Sequence, residues 1–273
     1  MSGFLAAHHL DVEVLMKRGN ALIDAALKAG ADSADAVIVA GRTLAISVLN
    51  GHVEEHESAE GDDFGLRVFI GRKQAIVSGN TLDDRTASIV AERAVAMASA
   101  AIENPYAGLP NDDQLARLIP HLDLFDPTEL SVETLRDLAL EAEAAAMRVK
   151  GVTKSSGASA NANHGSFLLL SSEGFAGAYA TSLYNVSMTA IAGDGTQMER
   201  DYESSSKRHY HELKQSNHIG RIAGERAVRR LNPTKIKSGK QKVIFDYRVA
   251  NSLVGLFAQA INGENIIRKN SFL

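Results

Sequence analysis

Four of the chain's five prolines, Pro105, Pro110, Pro120 and Pro127, fall in one short stretch. Proline has no amide donor and cannot sit inside a helix or a central strand. Residues 105–127 therefore read as a connector, and they divide the chain in two. The order of patterns is the same on both sides: a helical period, several strand-like runs, then a second helix.

In the first part, Val12, Leu15, Met16, Leu22, Ile23, Ala26 and Leu27 recur at helical spacing from about Asp11 to Lys28. Gly30 is placed to close that helix. Three extended runs follow: ADAVIVAG, TLAISVLNG and the polar HVEEHESAEG. Leu44, Ile46 and Val48 alternate with Thr43, Ala45 and Ser47, which is strand period. GLRVFIG and QAIVSGN flank Gly71-Arg72-Lys73 and predict a hairpin. A helix is expected from Thr81 or Leu82 to about Ile102, with Asp83 and Asp84 suiting the dipole of its first turn.

After the connector, Ser131-x-x-Thr134 with Glu133 opens a helix to about Val149. The runs GVTKSSGASANANHG, SFLLLSSEG and GAYATSLYNVSMTAIAG are extended, and a helix spans about Glu212 to Leu231. Beyond Asn232-Pro233, KVIFDY reads as a short buried strand and Ala250–Ile261 as a helix. The expected fold is α+β. Two helix-flanked antiparallel sheet units span 10–104 and 128–232, and a third unit begins at 233–273. The repeated order suggests a structural duplication, although the residue identities of the two parts barely match.

Composition removes several functions. No cysteine is present, which excludes a disulfide scaffold, a zinc ribbon, an iron–sulfur protein and a cysteine protease. A net charge of −4 gives no global drive toward nucleic acid. No apolar run reaches the roughly 18 residues of a membrane span. The N-terminus lacks a positive leader and soon meets His8, His9, Asp11 and Glu13, so a cytoplasmic protein is expected. The chain stops at KNSFL with no polar tail, and we read it as a fragment with its third unit truncated.

Four local features could carry chemistry. His52-Val53-Glu54-Glu55-His56 matches H-x-x-E-H, an inverted zinc-protease signature that works only on a helix. Here the neighbours alternate as a strand. A strand would put the two imidazoles on one face but roughly 13 Å apart, too far for one zinc. The expectation is a solvated acidic strand edge. His209 and His211 would share a face in a strand and could approach a metal, but spacing places no third ligand. The stretch 207–242 holds eleven Lys or Arg against Glu212 and Glu225. Arg221, Arg226, Arg229 and Arg230 fall on a helix with apolar Ile222, Ala223, Val228 and Leu231, which predicts a solvated face over a core. No aromatic interleaving favours base stacking, so nucleic acid is not an expected partner. Gly193-Asp194-Gly195 reads as a turn, and no phosphate loop or nucleophile elbow occurs.

Two segments carry a resemblance: VEEHESAEGDDFGLRVFIGRKQAIVSGNTL at 53–82, and LNPTKIKSGKQKVIFDYRVANSLVGLFAQAINGENIIRKNSFL at 231–273. They resemble the TldD/PmbA family, known as modulators of DNA gyrase and as metallopeptidase-type proteins. The chain is most similar to the PmbA branch, also called TldE. In the TldD branch, a helix after the last strand carries the zinc motif H-E-x-x-x-H. Laid on this sequence, those positions fall at Val254, Gly255 and Gln259. Val and Gly cannot bind zinc or move a proton, and Gln is a poor imidazole substitute. The resemblance thus implies no catalytic residue and no metal in this chain, with zinc in a TldD-like partner. It implies a heterodimeric zinc peptidase acting on peptides or unfolded polypeptides, in which this chain gives support and a wall of the channel. It also implies a longer protein with a β-rich C-terminal domain. A homodimer is the expectation where no partner is present. The alternative function is a non-enzymatic modulator that binds gyrase or a toxin–antitoxin partner, and a self-sufficient peptidase is the third.

Overall fold

A computed structural model describes residues 12–81, 83–120 and 122–273. The expected helix starts at Asp11 and Leu82, and the expected unit start at residue 10, lie outside the described residues. Up to Asn232 the chain forms one compact unit, and Pro233–Leu273 forms another.

The first unit repeats one order twice. Its first half runs α1 (Val12–Lys28), β1 (Ser33–Leu49), β2 (His52–Ile70), β3 (Lys73–Gly79) and α2 (Asp84–Ala100). Its second half runs α3 (Val132–Met147), β4 (Val152–Ser171), β5 (Ala176–Ala192), β6 (Glu199–Lys207) and α4 (Ser216–Arg229). The fold is α+β, and the two sheet units join. All six strands make one antiparallel sheet in the order β3-β2-β1-β4-β5-β6. The seam is the pairing of β1 with β4 from Asp35 opposite Ser171 to Val48 opposite Ala158. Gly41 lies opposite Gly61 on one side and Gly165 on the other. The extended runs on either side of Gly41 are therefore one strand that passes through a row of glycines.

Period two decides which face is covered. Ala34, Ala36, Ile38, Ala40, Ile46 and Val48 of β1 are all buried on one face. The N-terminal end of that face, with Phe64, Leu66, Val68, Leu168 and Leu170, packs under α1 and α2. The other end, with Ala158, Ala160, Val186, Met188 and Ala190, packs under α3 and α4. Asp83 caps α2 and Ser131 caps α3, each through its side chain.

The Asn50-Gly51 turn joins β1 to β2 with φ of 54° and 79°, the conformation that favours Asn-Gly in two-residue hairpins. Both amides donate to the buried Glu143 carboxylate on α3, at 2.8 and 2.7 Å. A residue of the second half thus anchors a turn of the first.

β6 escapes hydrophobic periodicity because its polarity is reversed. Asp201, Glu203 and Ser205 face inward, while Tyr202 is exposed. Their partners stand on α4. Arg226 pairs with Glu203, and Arg230 donates to Asp201 at 3.1 Å. Lys214 adds a 3.0 Å bond to Glu203. The solvated face expected of α4 holds at Arg221 and Arg229, which are exposed, while Arg226 and the cap residue Arg230 reach buried carboxylates.

The second compact unit contains α5 (Tyr247–Ala260) and α6 (Gly263–Ile267). KVIFDY, expected as a strand, is not one. A strand needs a neighbour for its amides and carbonyls, and no described strand pairs with this segment.

Candidate functional site

The expected metal motifs separate in space. His52–Glu60 is strand, as the alternation around it predicts, and it is exposed on both faces. A bulge sits within it: Ser47 pairs with Glu55 but Val48 pairs with Val53. An extra residue flips the alternation. His52 therefore lies opposite Leu49 and His56 opposite Ile46, and the two imidazoles point to opposite faces. The expectation that they share a face is corrected by that bulge.

His209 caps a single 3-10 turn, Tyr210–Glu212, and His211 lies inside it rather than in a strand, with ring centroids 5.7 Å apart. Asp126 joins them. One ligand atom from each of Asp126, His209 and His211 lies within 4.8 Å of the others, and no other such group occurs among the described residues. Asp126 belongs to the connector, so no local spacing could have placed it.

The connector is held there by a buried network. Ser182 donates its amide to Leu124 O at 3.0 Å, and its hydroxyl accepts from Asp126 N at 2.8 Å. Tyr184 donates its hydroxyl to Thr128 O at 2.5 Å. His164 Nε2 stands 3.2 Å from Asp126 O and 3.1 Å from the Tyr184 hydroxyl. Placing the proton on Nε2 satisfies all three groups. His164 also meets Phe125 and Tyr184 edge-on, each at 5.7 Å.

Burial pushes the His164 pKa down, opposed in part by its hydrogen bond to Asp126. Burial also drives the Tyr184 phenol upward, with Asp126 and Glu129 adding to the shift. Both stay neutral near pH 7. They latch the connector. Burial works to raise the Asp126 carboxyl, but hydrogen bonds from Thr128 and Tyr210 outweigh it and hold Asp126 below the usual range.

Next to this network is a cleft of about 770 Å³, lined by Ile119, Leu122, Phe125, Phe167, Leu169 and Tyr179, with Asp123 and Arg208 beside them. Phe167 and Leu169 alternate with buried Leu168 and Leu170, so they project from the face away from the helices. Phe167 stacks on Tyr179 at 5.2 Å.

Val254, Gly255 and Gln259 all lie on α5, in the second compact unit. Val254 is 68% exposed, and a Cβ at Gly255 would meet nothing within 4 Å. The whole helix, YRVANSLVGLFAQA, holds no imidazole, thiol or carboxylate. The residues present do not fit a zinc ion, and no step is derived through one.

The geometry defines a class first: an α+β protein in which a twice-repeated helix–strands–helix order shares one sheet, followed by a helix without metal ligands. Family models then match two segments, PmbA/TldA metallopeptidase domain 1 over residues 34–98 and the PmbA/TldA central domain over 125–231. The chain belongs to the PmbA/TldD family. It is 31% identical over 252 residues to a metalloprotease PmbA homolog of Haemophilus influenzae, covering 92% of this chain and 56% of that protein. With metalloprotease PmbA of Escherichia coli O157:H7 it shares 30% identity over 243 residues, 89% of this chain and 54% of the relative. The chain spans about half the length of the curated relatives it matches.

Solved structures share the fold. One from Bacteroides thetaiotaomicron, named for modulation of DNA gyrase, superposes with a TM-score of 0.89 at 21% identity, over 97% of this chain and 60% of that one. TldE from Thermococcus kodakarensis gives 0.74 at 15% identity, over 94% and 57%.

Proposed function

We propose that this chain is part of a PmbA/TldE-like subunit of a cytoplasmic TldD–PmbA zinc peptidase that cuts or matures peptides. The subunit lacks the zinc motif itself. The observation that carries this reading is α5. It is a regular helix at the place where the TldD branch holds its zinc motif, yet Val254, Gly255 and Gln259 stand at the three motif positions. Zinc, and the base that activates water, would belong to a TldD-like partner. This chain's share would be scaffold and a wall of the peptide channel. We read 10–104, 128–232 and 233–273 as the units of that scaffold, joined through 105–127. None of the described helices is long and apolar enough to cross a membrane.

The alternative of a gyrase or toxin–antitoxin modulator rested on the basic stretch at 207–242. That stretch loses much of its force, because Lys214, Arg221, Arg226 and Arg230 are paired with Glu203, Glu225 and Asp201. A pull-down with the full-length protein discriminates. Recovery of a TldD-like protein with bound zinc is expected. Recovery of gyrase with no TldD-like protein would overturn the reading.

A further inference from the structure

The Asp126, His209 and His211 cluster is separate from α5 and plays no part in the peptidase reading. Asp126 comes from the connector, and the two histidines stand at the start of and within the 3-10 turn after β6. The three ligand atoms already lie within 4.8 Å of one another. Zinc bonds of roughly 2.0–2.2 Å to nitrogen and oxygen place donors on one tetrahedral ion about 3.3 Å apart. The cluster is slightly too open. His211 is exposed, so its ring can turn inward without leaving a packed core.

Two further observations point to a ligand. His209 Nε2 is buried and has no hydrogen-bond partner. Buried polar atoms are nearly always satisfied, and an orphan calls for a water or an ion. Asp123 Oδ1 lies 3.3 Å from that nitrogen, close enough for an ion pair with a protonated ring but outside hydrogen-bond geometry. In addition, the Asp126 carboxylate is already oriented, since Oδ1 accepts from Thr128 N and Oδ2 from Tyr210 N, both at 2.8 Å. Each oxygen keeps a lone pair. Such outer hydrogen bonds are what fix a ligating carboxylate in metal sites.

We propose that Asp126, His209 and His211 form a binding site for a divalent transition cation, zinc or a chemical equivalent, with a water completing the tetrahedron. The nitrogen and oxygen donors suit zinc or cobalt and disfavour magnesium and calcium. The ion ties the connector to the β6–α4 junction, next to the cleft. It is a structural clamp.

The test is a cobalt(II) titration of the metal-freed chain, read by visible d–d absorption and calorimetry. One tetrahedral cobalt per chain is expected. His211→Asn should weaken binding at least tenfold while leaving the far-ultraviolet spectrum and metal-free melting curve unchanged. Zinc should raise the melting temperature of the parent chain and not of that variant. Gln259→Ala should leave binding intact, which separates this site from any zinc on α5. Absence of stoichiometric cobalt would overturn the proposal. So would cobalt binding that survives both His211→Asn and Asp126→Asn, since the ion would then sit elsewhere.

Discussion

The two halves of the first unit share an order of elements and a face of one sheet, but they are held together differently. The first half packs large aliphatics: Leu15 and Leu22 of α1 against Ile38, Leu66 and Leu168. Both cores are rich in alanine, but in the second half the two helices meet each other through it, with Ala139, Ala142 and Ala146 of α3 in one cluster with Ala223 and Ala227 of α4. Every buried polar or charged residue among the described ones, from Asp126 to Ser216, lies after the first half. The first half is a plain hydrophobic layer. In the second, position depends on small residues and paired charges, and that half also holds the connector and the metal cluster.

The helix glycines expose the difference most sharply. A Cβ on Gly220 would stand 1.9 Å from Ala142 O, a backbone atom. Gly220→Val should separate α3 from α4 and cost roughly 3 kcal/mol or more, read by urea unfolding. Gly19 in α1 is the counterpart. Its Cβ would meet Leu170 Cδ1 at 2.4 Å and Ile38 Cδ1 at 3.3 Å, the movable ends of side chains. Gly19→Ala gains up to about 1 kcal/mol of helix propensity, so its net effect should stay within about 1 kcal/mol. Equal losses at the two sites would break the comparison.

Ion pairs sharpen it next. Glu203 is nearly fully buried, and Glu203→Ala leaves Arg226 without its partner in a largely buried place. Removing one member of a buried pair costs about 3 kcal/mol. The double change Glu203→Met with Arg226→Leu should recover most of that loss. In the first half, Arg18 and Asp62 pair at 2.8 Å but remain solvated. Asp62→Asn should cost below about 1 kcal/mol.

The smallest effect is one of pH. Burial lowers the His164 pKa in the folded chain. The unfolded chain then binds the proton more readily, so stability is full above the ordinary histidine pKa of about 6.5. It declines as pH falls below that value toward the folded one. Melting temperatures taken from pH 8 to pH 5 should show this decline, and His164→Gln should flatten it. An unchanged slope in the variant would remove His164 as the cause.

The same contrast explains what was legible in the sequence. Where burial followed hydrophobic period, as in α1, β1 and the β2–β3 hairpin, element type was readable from residues such as Leu22, Ile46 and Val68. β6 was not, because Asp201 and Glu203 occupy its inward positions and their partners lie a helix away. The bulge that sends His52 and His56 to opposite faces depends on pairing with β1, which periodicity cannot see. The joining of two sheet units was equally hidden, since either β1 or β4 alone reads as a strand of unknown neighbour. His164 was half visible: it shares period two with Ala160, Ala162 and Leu168, which marks it as inward. Asp126 had no signal, because its partners are brought to it only by the fold. The positions Val254, Gly255 and Gln259 on α5 came into view only through the family resemblance, which supplies the motif laid on them.

The proposed function puts the catalytic zinc in a TldD-like partner. The direct measurement is peptide cleavage by the full-length protein, alone and mixed with a TldD-like partner. Cleavage is expected only in the mixture, lost when the partner's H-E-x-x-x-H is mutated and unchanged by Gln259→Ala in this chain. Chelator-sensitive cleavage by this protein alone, abolished by Gln259→Ala, would contradict it.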